Sequence, residues 1–321
     1  MSNAQAGLVR SALVSAAGHV IARGSKSFAA ASRLFDRETR ERVWLFYAWC
    51  RACDDLADAQ DLGGALGDQS GAEGRFATIR ALTARALGGQ PTGEAAFDAL
   101  GVVASECGIN AVYAGDIIAG FALDVAGWRP KTELDMLGYC YHVAGAVGVV
   151  MALVMGVDPE DSDTLDRACD LGIAFQLGNI LRDVAEDAAG GRCYLPLDWL
   201  TEAGIEPQAI MEPQHRPALV AMAARMAAMA QVYEASARVG AGRLPWRCAW
   251  AVLAAAGIYG GIARKVAALG ARAWDTRVST GKGQKLLYVL RALGQVLTGA
   301  QREAAPVPYT RGTLARAVPR I

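Results

Sequence analysis

Apolar residues recur along this chain at the three- and four-residue spacing of helices, and strand-like alternation never lasts more than a few residues. Asp36 is placed to cap a helix running through Glu38 to about Asp58, with Val43, Leu45, Phe46 and Trp49 on its apolar faces. Further helices are predicted over 72–87, 94–107, 110–126, 132–155, 164–188, 217–239, 246–269 and 283–297. Between them lie a glycine-rich loop at 61–74 and short turn sequences such as Gly88-Gly89-Gln90-Pro91, Gly127-Trp128-Arg129-Pro130 and Gly190-Gly191. There is no internal repeat, low-complexity tract or long linker. The pattern predicts an all-α fold, with residues 1–321 forming a single large helical domain.

Two acidic boxes break the apolar pattern. They place Asp54 and Asp58, and Asp183 and Asp187, four residues apart inside predicted helices. That spacing puts both carboxylates of a pair on one helix face, one turn apart. It suits hard, oxygen-seeking cations such as Mg²⁺ that bridge to phosphate, so two such pairs point to diphosphates. At about 100° per residue, Tyr47, Arg51, Asp54 and Asp58 fall within an arc of roughly 60°. Gln176, Asn179, Asp183 and Asp187 make the same stripe on the second helix. Either stripe alone reads equally well as a solvated helix face. Together they read better as opposite walls of a central cavity, because Gln176 and Asn179 extend the second stripe where a surface helix would more often carry Lys or Glu.

Charge and composition narrow the partners. With 32 basic and 32 acidic residues the chain has no net charge to recruit nucleic acid. The seven cysteines are scattered; Cys50 and Cys53 have C-x-x-C spacing but no second pair or nearby His, so structural thiols in a reducing cytoplasm are expected. His19 and Arg23 stand where a signal peptide would need small residues, so none is expected. The most apolar runs, 143–157 and 248–263, fall short of the roughly 18–20 residues of a spanning helix and are expected to be buried. Peripheral contact with a membrane, at the inner face of the plasma membrane, stays open.

The stretch Leu171-Gly-Ile-Ala-Phe-Gln-Leu-Gly-Asn-Ile-Leu-Arg-Asp-Val-Ala-Glu-Asp187, followed by Gly191-Arg-Cys-Tyr-Leu-Pro196, closely resembles the second signature of the squalene and phytoene synthase family. Tyr139-Cys-Tyr-His-Val-Ala-Gly-Ala-Val-Gly148 resembles its other signature, and Ser25-Lys26-Ser27-Phe28 its amino-terminal element. The pattern is most like that of the bacterial phytoene synthases. The resemblance implies a helical fold of the isoprenoid-synthase type and a head-to-head prenyltransferase of carotenoid biosynthesis. Two geranylgeranyl diphosphates would condense through a cyclopropylcarbinyl diphosphate to 15-cis-phytoene, releasing two diphosphates.

The same resemblance implies roles residue by residue. Asp54, Asp58, Asp183 and Asp187, with Asn179, would hold Mg²⁺ or Mn²⁺. Arg51, Arg182 and Arg192 would handle the diphosphates, together with Gln176 and with Ser25, Lys26 and Ser27 of an amino-terminal loop. Arginine suits this because its rigid fork pairs with phosphate oxygens. Tyr139, Tyr194 and Tyr259 match tyrosines of the cavity wall, where a ring face meets a carbocation and a hydroxyl reaches a diphosphate. Phe28, Val143, Ala144, Val147 and Gly148 would line the prenyl tunnel, although small residues there also allow close helix packing. Arg277, or Arg272, is a candidate partner for the second diphosphate. Gly24, where some relatives carry His, removes a donor and is expected to loosen the loop.

Other readings remain at this level. Chain-elongating prenyltransferases and terpene cyclases also use aspartate boxes, but the Gln-x-x-Asn-x-x-Arg-Asp context fits them less well. Squalene or dehydrosqualene synthesis from two farnesyl diphosphates is the alternative within the family; no NADPH is expected for phytoene. A non-catalytic assembly factor with the same fold is the alternative from another class. A di-metal oxidase would want Glu-x-x-His pairs, which His19, His142 and His215 do not supply.

Overall fold

The computed structural model describes residues 3–62, 67–299 and 304–319, with side chains for all of these except 3–6, 26 and 27. Among the described residues there are helices and turns but no strand. The chain gathers into two compact units, Met1–Ala126 with Val150–Glu160, and Gly127–Val149 with Asp161–Ile321.

The first unit contains α1 (Asn3–Gly24), α2 (Lys26–Ser32), α3 (Arg37–Asp58), α4 (Ala72–Leu87), α5 (Ala95–Cys107) and α6 (Ala111–Val125). α1 is absent from the helices read off the sequence: Gly7 and Gly18 interrupt it and its apolar residues are not gathered on one strong face. Tertiary packing holds it in place. Ala17 and Ile21 are buried, and Gly18 lets the Trp44 ring come within 3.1 Å of where a Cβ would stand. Arg10 hydrogen-bonds Glu41 and Glu106 at 2.6 Å each, tying α1 to α3 and α5. α3 starts as expected, Asp36 accepting from the Thr39 N–H at 3.0 Å, and buries Val43, Leu45, Phe46, Trp49 and Cys53. Trp49 Nε1 donates to Thr83 Oγ1 of α4 at 3.2 Å, satisfying the one polar atom of a fully buried indole.

In the second unit, α7 (Glu133–Cys140) opens on a capping box made by Thr132 and Asp135. A single π turn, Tyr141–Gly145, leads into α8 (Ala146–Val154), whose residues from Val150 onward belong to the first unit. The one helix predicted over 132–155 is therefore broken by an inserted residue: the Ala146 N–H bonds the Tyr141 carbonyl, five residues back. Hydrophobic periodicity carries no mark of such an insertion. The unit continues with α9 (Ser162–Ala189), α10 (Leu197–Glu202), α11 (Arg216–Ala241), α12 (Trp246–Leu269), α13 (Lys282–Thr298) and α14 (Arg311–Leu314). α9 crosses the π turn through small residues. A Cβ on Gly172 would lie 2.1 Å from the Ala144 oxygen, one on Gly148 2.3 Å from the Ala168 oxygen, and one on Gly145 2.9 Å from Cys169 Sγ.

Helix length corrects one expectation. The stretches Glu133–Val154 and Trp246–Arg272 are long and apolar enough to cross a membrane, because each helix outruns the apolar run within it. In the first, 72% of the apolar window is buried, as in a core helix; in the second only 44% is. All seven cysteines are free thiols, and burial pushes Cys50 and Cys53 well above the usual thiol range, favouring the neutral form.

Two buried polar groups on the packed faces of α9 and α11 have measurable consequences. Glu234 is 5% exposed and takes Arg264 on one carboxylate oxygen at 2.6 Å and Arg238 on the other at 2.6 Å. Glu234→Ala would take away the carboxylate that both guanidiniums share, leaving Arg238 only Gln295 at 3.1 Å, and we expect a loss of about 3 kcal/mol in urea unfolding. Asp170 accepts from Ser236 Oγ at 2.6 Å, and burial pushes its carboxyl up to about 7. Because the folded state keeps this proton after the unfolded chain has lost it near pH 4, stability falls as pH rises from about 4 to about 7. The Asp170 contribution to that fall is on the order of 3 kcal/mol. Thermal midpoints across that range should show it, and Asp170→Asn should flatten it.

Candidate active site

Both acidic boxes sit in the last turns of their helices. α3 ends at Asp58 and α9 at Ala189. The carboxyl end of a helix carries a partial negative charge, so a pair of carboxylates there is unfavourable unless a cation meets it. The structure supplies those cations as arginines.

In the first box Arg51 Nη1 donates to Asp54 Oδ2 at 2.8 Å and lies 3.8 Å from Asp55. Burial, and then the neighbouring Asp58 and Asp55 carboxylates, push the Asp54 carboxyl up to about 6 despite Arg51. Asp55 points the other way and accepts from the Leu62 N–H at 3.0 Å, which ties down the start of the loop. Ala59 takes the left-handed conformation that ends α3. The carbonyls left over at this end are taken by Arg75 on Leu56 (2.8 Å), by Gln69 on Asp58 (3.0 Å), and by the Gly67 N–H on Asp58 (3.0 Å). One turn above, the Arg51 guanidinium lies 6.0 Å from the Tyr47 ring centroid. Tyr47 Oη and Arg51 Nε are buried, and beyond a loose contact of the Tyr47 hydroxyl with the Arg51 guanidinium neither has a hydrogen-bond partner. Unmet donors beside a carboxylate of raised pKa are what a site built for an anion and its cation would present.

The amino-terminal element differs from its expectation. Ser25 is the cap of α2, its Oγ accepting from the Phe28 N–H at 3.3 Å, and Phe28 packs on Tyr47 with ring centroids 5.4 Å apart. The side chains of Lys26 and Ser27 lie outside the described residues. Gly24 is not part of a loose loop: it closes α1, and a Cβ there would lie 2.8 Å from Tyr47 Oη. Its smallness gives the tyrosine hydroxyl its room.

The second box is on α9. Arg182 grips both oxygens of Asp183, and Arg277 reaches one of them through Nε at 3.1 Å and Nη2 at 3.0 Å. Burial pushes the Asp183 carboxyl up, but the two guanidiniums outweigh it and hold it below the usual carboxylate range. Asn179 donates to Gln176 Oε1 at 3.3 Å, so the stripe toward the middle of the helix is joined along its length. Asp187, Arg192 and Tyr194 line one small recess with Ile180 and Val184. Of the two arginines near the carboxyl end, Arg277 is the one that meets the box; Arg272 is exposed in a short 3-10 turn.

Aromatic side chains gather beside this box. Tyr139 stacks on Tyr194 with centroids 4.8 Å apart, and Trp128 continues the stack at 6.2 Å. Tyr259 lies against Phe175 at 4.6 Å. Val143, Ala144, Val147 and Gly148 are all half-buried, and Gly148 presses on the α9 backbone, the packing role open to a small residue.

Two participants escape a reading of spacing. Trp128 lies in a turn sequence, and nothing there marks it as the end of a tyrosine stack. Trp274 donates Nε1 to the Leu181 carbonyl at 2.8 Å and so pins the segment carrying Arg277 to the helix carrying Asp183. An indole three residues before an arginine is the only signal the sequence offers.

Comparison with known proteins fits this geometry. The model of the family described as squalene/phytoene synthase matches residues 21–284. A phytoene synthase of Pseudescherichia vulneris is 46% identical over 298 residues, covering 92% of this chain and 96% of that protein. A 15-cis-phytoene synthase of Enterobacter agglomerans is 47% identical over 285 residues, covering 88% and 96%. Among solved structures, a dehydrosqualene synthase in complex with ligand superimposes with a TM-score of 0.79 at 24% identity, covering 90% of this chain and 98% of that one. This likeness establishes the shared helical fold. With the family model spanning both acidic boxes, the chain belongs to the squalene/phytoene synthase family.

Proposed function

We propose that this protein is a 15-cis-phytoene synthase, a prenyltransferase of carotenoid biosynthesis that joins two geranylgeranyl diphosphates head to head. The observation that carries the reading is the identity of 46–47%, over most of both chains, with proteins named phytoene synthase. The first condensation forms a cyclopropylcarbinyl diphosphate and releases one diphosphate and one proton. Its ionisation and rearrangement release the second diphosphate and a second proton.

Loss of each diphosphate builds negative charge on the leaving oxygens, and fixed cations stabilise that charge more in the transition state than in the ground state. Mg²⁺, or Mn²⁺, held by Asp54 and Asp58 and by Asp183 and Asp187 with Asn179, would neutralise that charge. Two carboxylates at a helix carboxyl end, with Tyr47 Oη and Arg51 Nε unmet beside one pair, fit such a group. Among the described residues no three His, Cys, Asp or Glu side chains gather as a metal cage, so the remaining ligands would come from diphosphate oxygens and water. Arg51, Arg182, Arg192 and Arg277 bind the diphosphates. The Tyr139–Tyr194 stack offers a ring face to the allylic cation and helps keep water from it. Because the product is insoluble in water, the protein works in the cytoplasm against the inner face of the plasma membrane.

The test is product analysis of the pure protein with Mg²⁺ and either geranylgeranyl or farnesyl diphosphate, with and without NADPH. We expect a C40 hydrocarbon from the former, indifferent to NADPH. A C30 hydrocarbon formed in preference, a longer diphosphate or a cyclised C20 product would each replace this reading.

A further inference from the structure

We propose that the outer ridge of α13, together with Trp246 of α12, is a docking surface for an anionic phospholipid membrane. Of the ten large apolar side chains exposed among the described residues, Leu286, Leu287, Leu290 and Leu297 lie on this one helix and Trp246 on its neighbour. Leu297 is 76% exposed and Trp246 56%. Leu286, Leu290, Leu293 and Leu297 fall within about 60° of arc, so they form a ridge and not a scatter. α13 does not need this ridge to hold its place. Its inner side already carries buried Ala292, and its Tyr288 ring fills the space left by Gly257 and Gly261 of α12. Trp250 Nε1 donates to the Val289 carbonyl at 2.9 Å and stacks on Trp246 with centroids 6.3 Å apart. That places Trp246 toward the carboxyl half of α13. The exposed leucines follow one another along one face of the helix, unlike the scattered single apolar side chains that are ordinary on a protein surface.

Charge selects the occupant. α13 contains Lys282, Lys285 and Arg291 and no Asp or Glu. Lys282 stands at the edge of the ridge and Lys285 and Arg291 flank it, about 80–100° further round on either side, so a second copy of the same ridge would meet only like charge along its flanks, which opposes self-association. An anionic lipid surface attracts all three while taking the leucines below its headgroups. An exposed indole beside such a helix is the side chain that favours the headgroup layer. At 17 residues α13 is too short to span, so it lies along the surface. The inference rests on the membrane location given under the proposed function and names the surface that makes the contact; it does not depend on the reaction catalysed. Its test uses no substrate, so the two readings can fail separately.

The test is co-sedimentation of the full chain with vesicles of phosphatidylcholine, with and without phosphatidylglycerol. We expect binding to the mixed vesicles that weakens with salt and is slight on phosphatidylcholine alone. The triple variant Leu286→Ser, Leu290→Ser, Leu297→Ser should lower the partition coefficient by at least about 100-fold. Lys282→Glu with Arg291→Glu should lower it by about tenfold or more and flatten the salt dependence. All these side chains are exposed, so both variants should keep the thermal midpoint and the detergent-assayed turnover of the unaltered chain. Failure of the unaltered chain to sediment with the anionic vesicles would overturn the proposal, as would unimpaired binding by the triple variant. So would a dimer in gel filtration that the triple variant converts to monomer, which would assign the ridge to self-association.

Discussion

Asp183→Asn will lower turnover by at least about 1,000-fold and leave the protein folded. The asparagine keeps the shape of the aspartate and removes one unit of negative charge where the proposed mechanism holds a cation against a leaving diphosphate. A loss of about 4 kcal/mol of transition-state stabilisation corresponds to that factor. The cost to stability is small by comparison. Arg277, 60% exposed, returns to water, and Arg182 keeps the amide oxygen of the substituted side chain as acceptor. Product formation at saturating geranylgeranyl diphosphate, measured beside the thermal midpoint, checks both halves. An undiminished rate would show that Asp183 does not hold a catalytic cation. A rate lost together with the fold would show that the arginine clamp serves stability.

Gly172→Ala should be the most damaging single change to the fold. Alanine in the middle of an exposed helix is better than glycine by about 1 kcal/mol, so by helix propensity alone the substitution would stabilise α9. Here the added methyl would stand 2.1 Å from the Ala144 oxygen, 2.5 Å from its carbonyl carbon and 2.7 Å from the Gly145 nitrogen. These are backbone atoms of the π turn and cannot swing aside as a side chain can. α9 must then lift off the turn and lose the packing on both sides of the crossing, which we put at about 4 kcal/mol or more. The thermal midpoint should fall by about 6 °C or more, or the protein should fail to accumulate in soluble form. A variant more stable than the parent would mean that the close crossing does not exist in solution.

Much of this was legible before any coordinates. Asp36 as a cap, the polar stripes on α3 and α9, and helix ends close after Asp58 and Asp187 all follow from local rules, because caps, turns and periodicity are written in neighbouring residues. What stayed hidden depends on contacts distant in sequence or on single-residue events. α1 is held by Trp44, Glu41 and Glu106 and not by its own pattern. The π turn adds one residue to a run whose hydrophobicity does not change. Gly24 reads as a missing donor in a loop until the Tyr47 hydroxyl is found beside it. Arg277 reads as a loose basic residue until Trp274 is seen fastening its segment to the Leu181 carbonyl. The four carboxylates could be named early because their spacing is local, whereas the arginine that clamps Asp183 from outside α9 could only be suspected.

That clamp has a consequence for the order of events. Asp183 is already neutralised by the protein's own side chains, so a divalent ion alone would have to displace not only the exposed Arg277, which can return to water, but also the largely buried Arg182, which cannot do so as readily. A diphosphate changes the exchange, because it gives Arg182 and Arg277 a new anion as it frees the carboxylate. On the Mg²⁺ reading, the second box stays closed to the bare ion and opens to the ion and substrate together, so the resting protein carries little metal at cellular concentrations and loads it only when there is something to ionise.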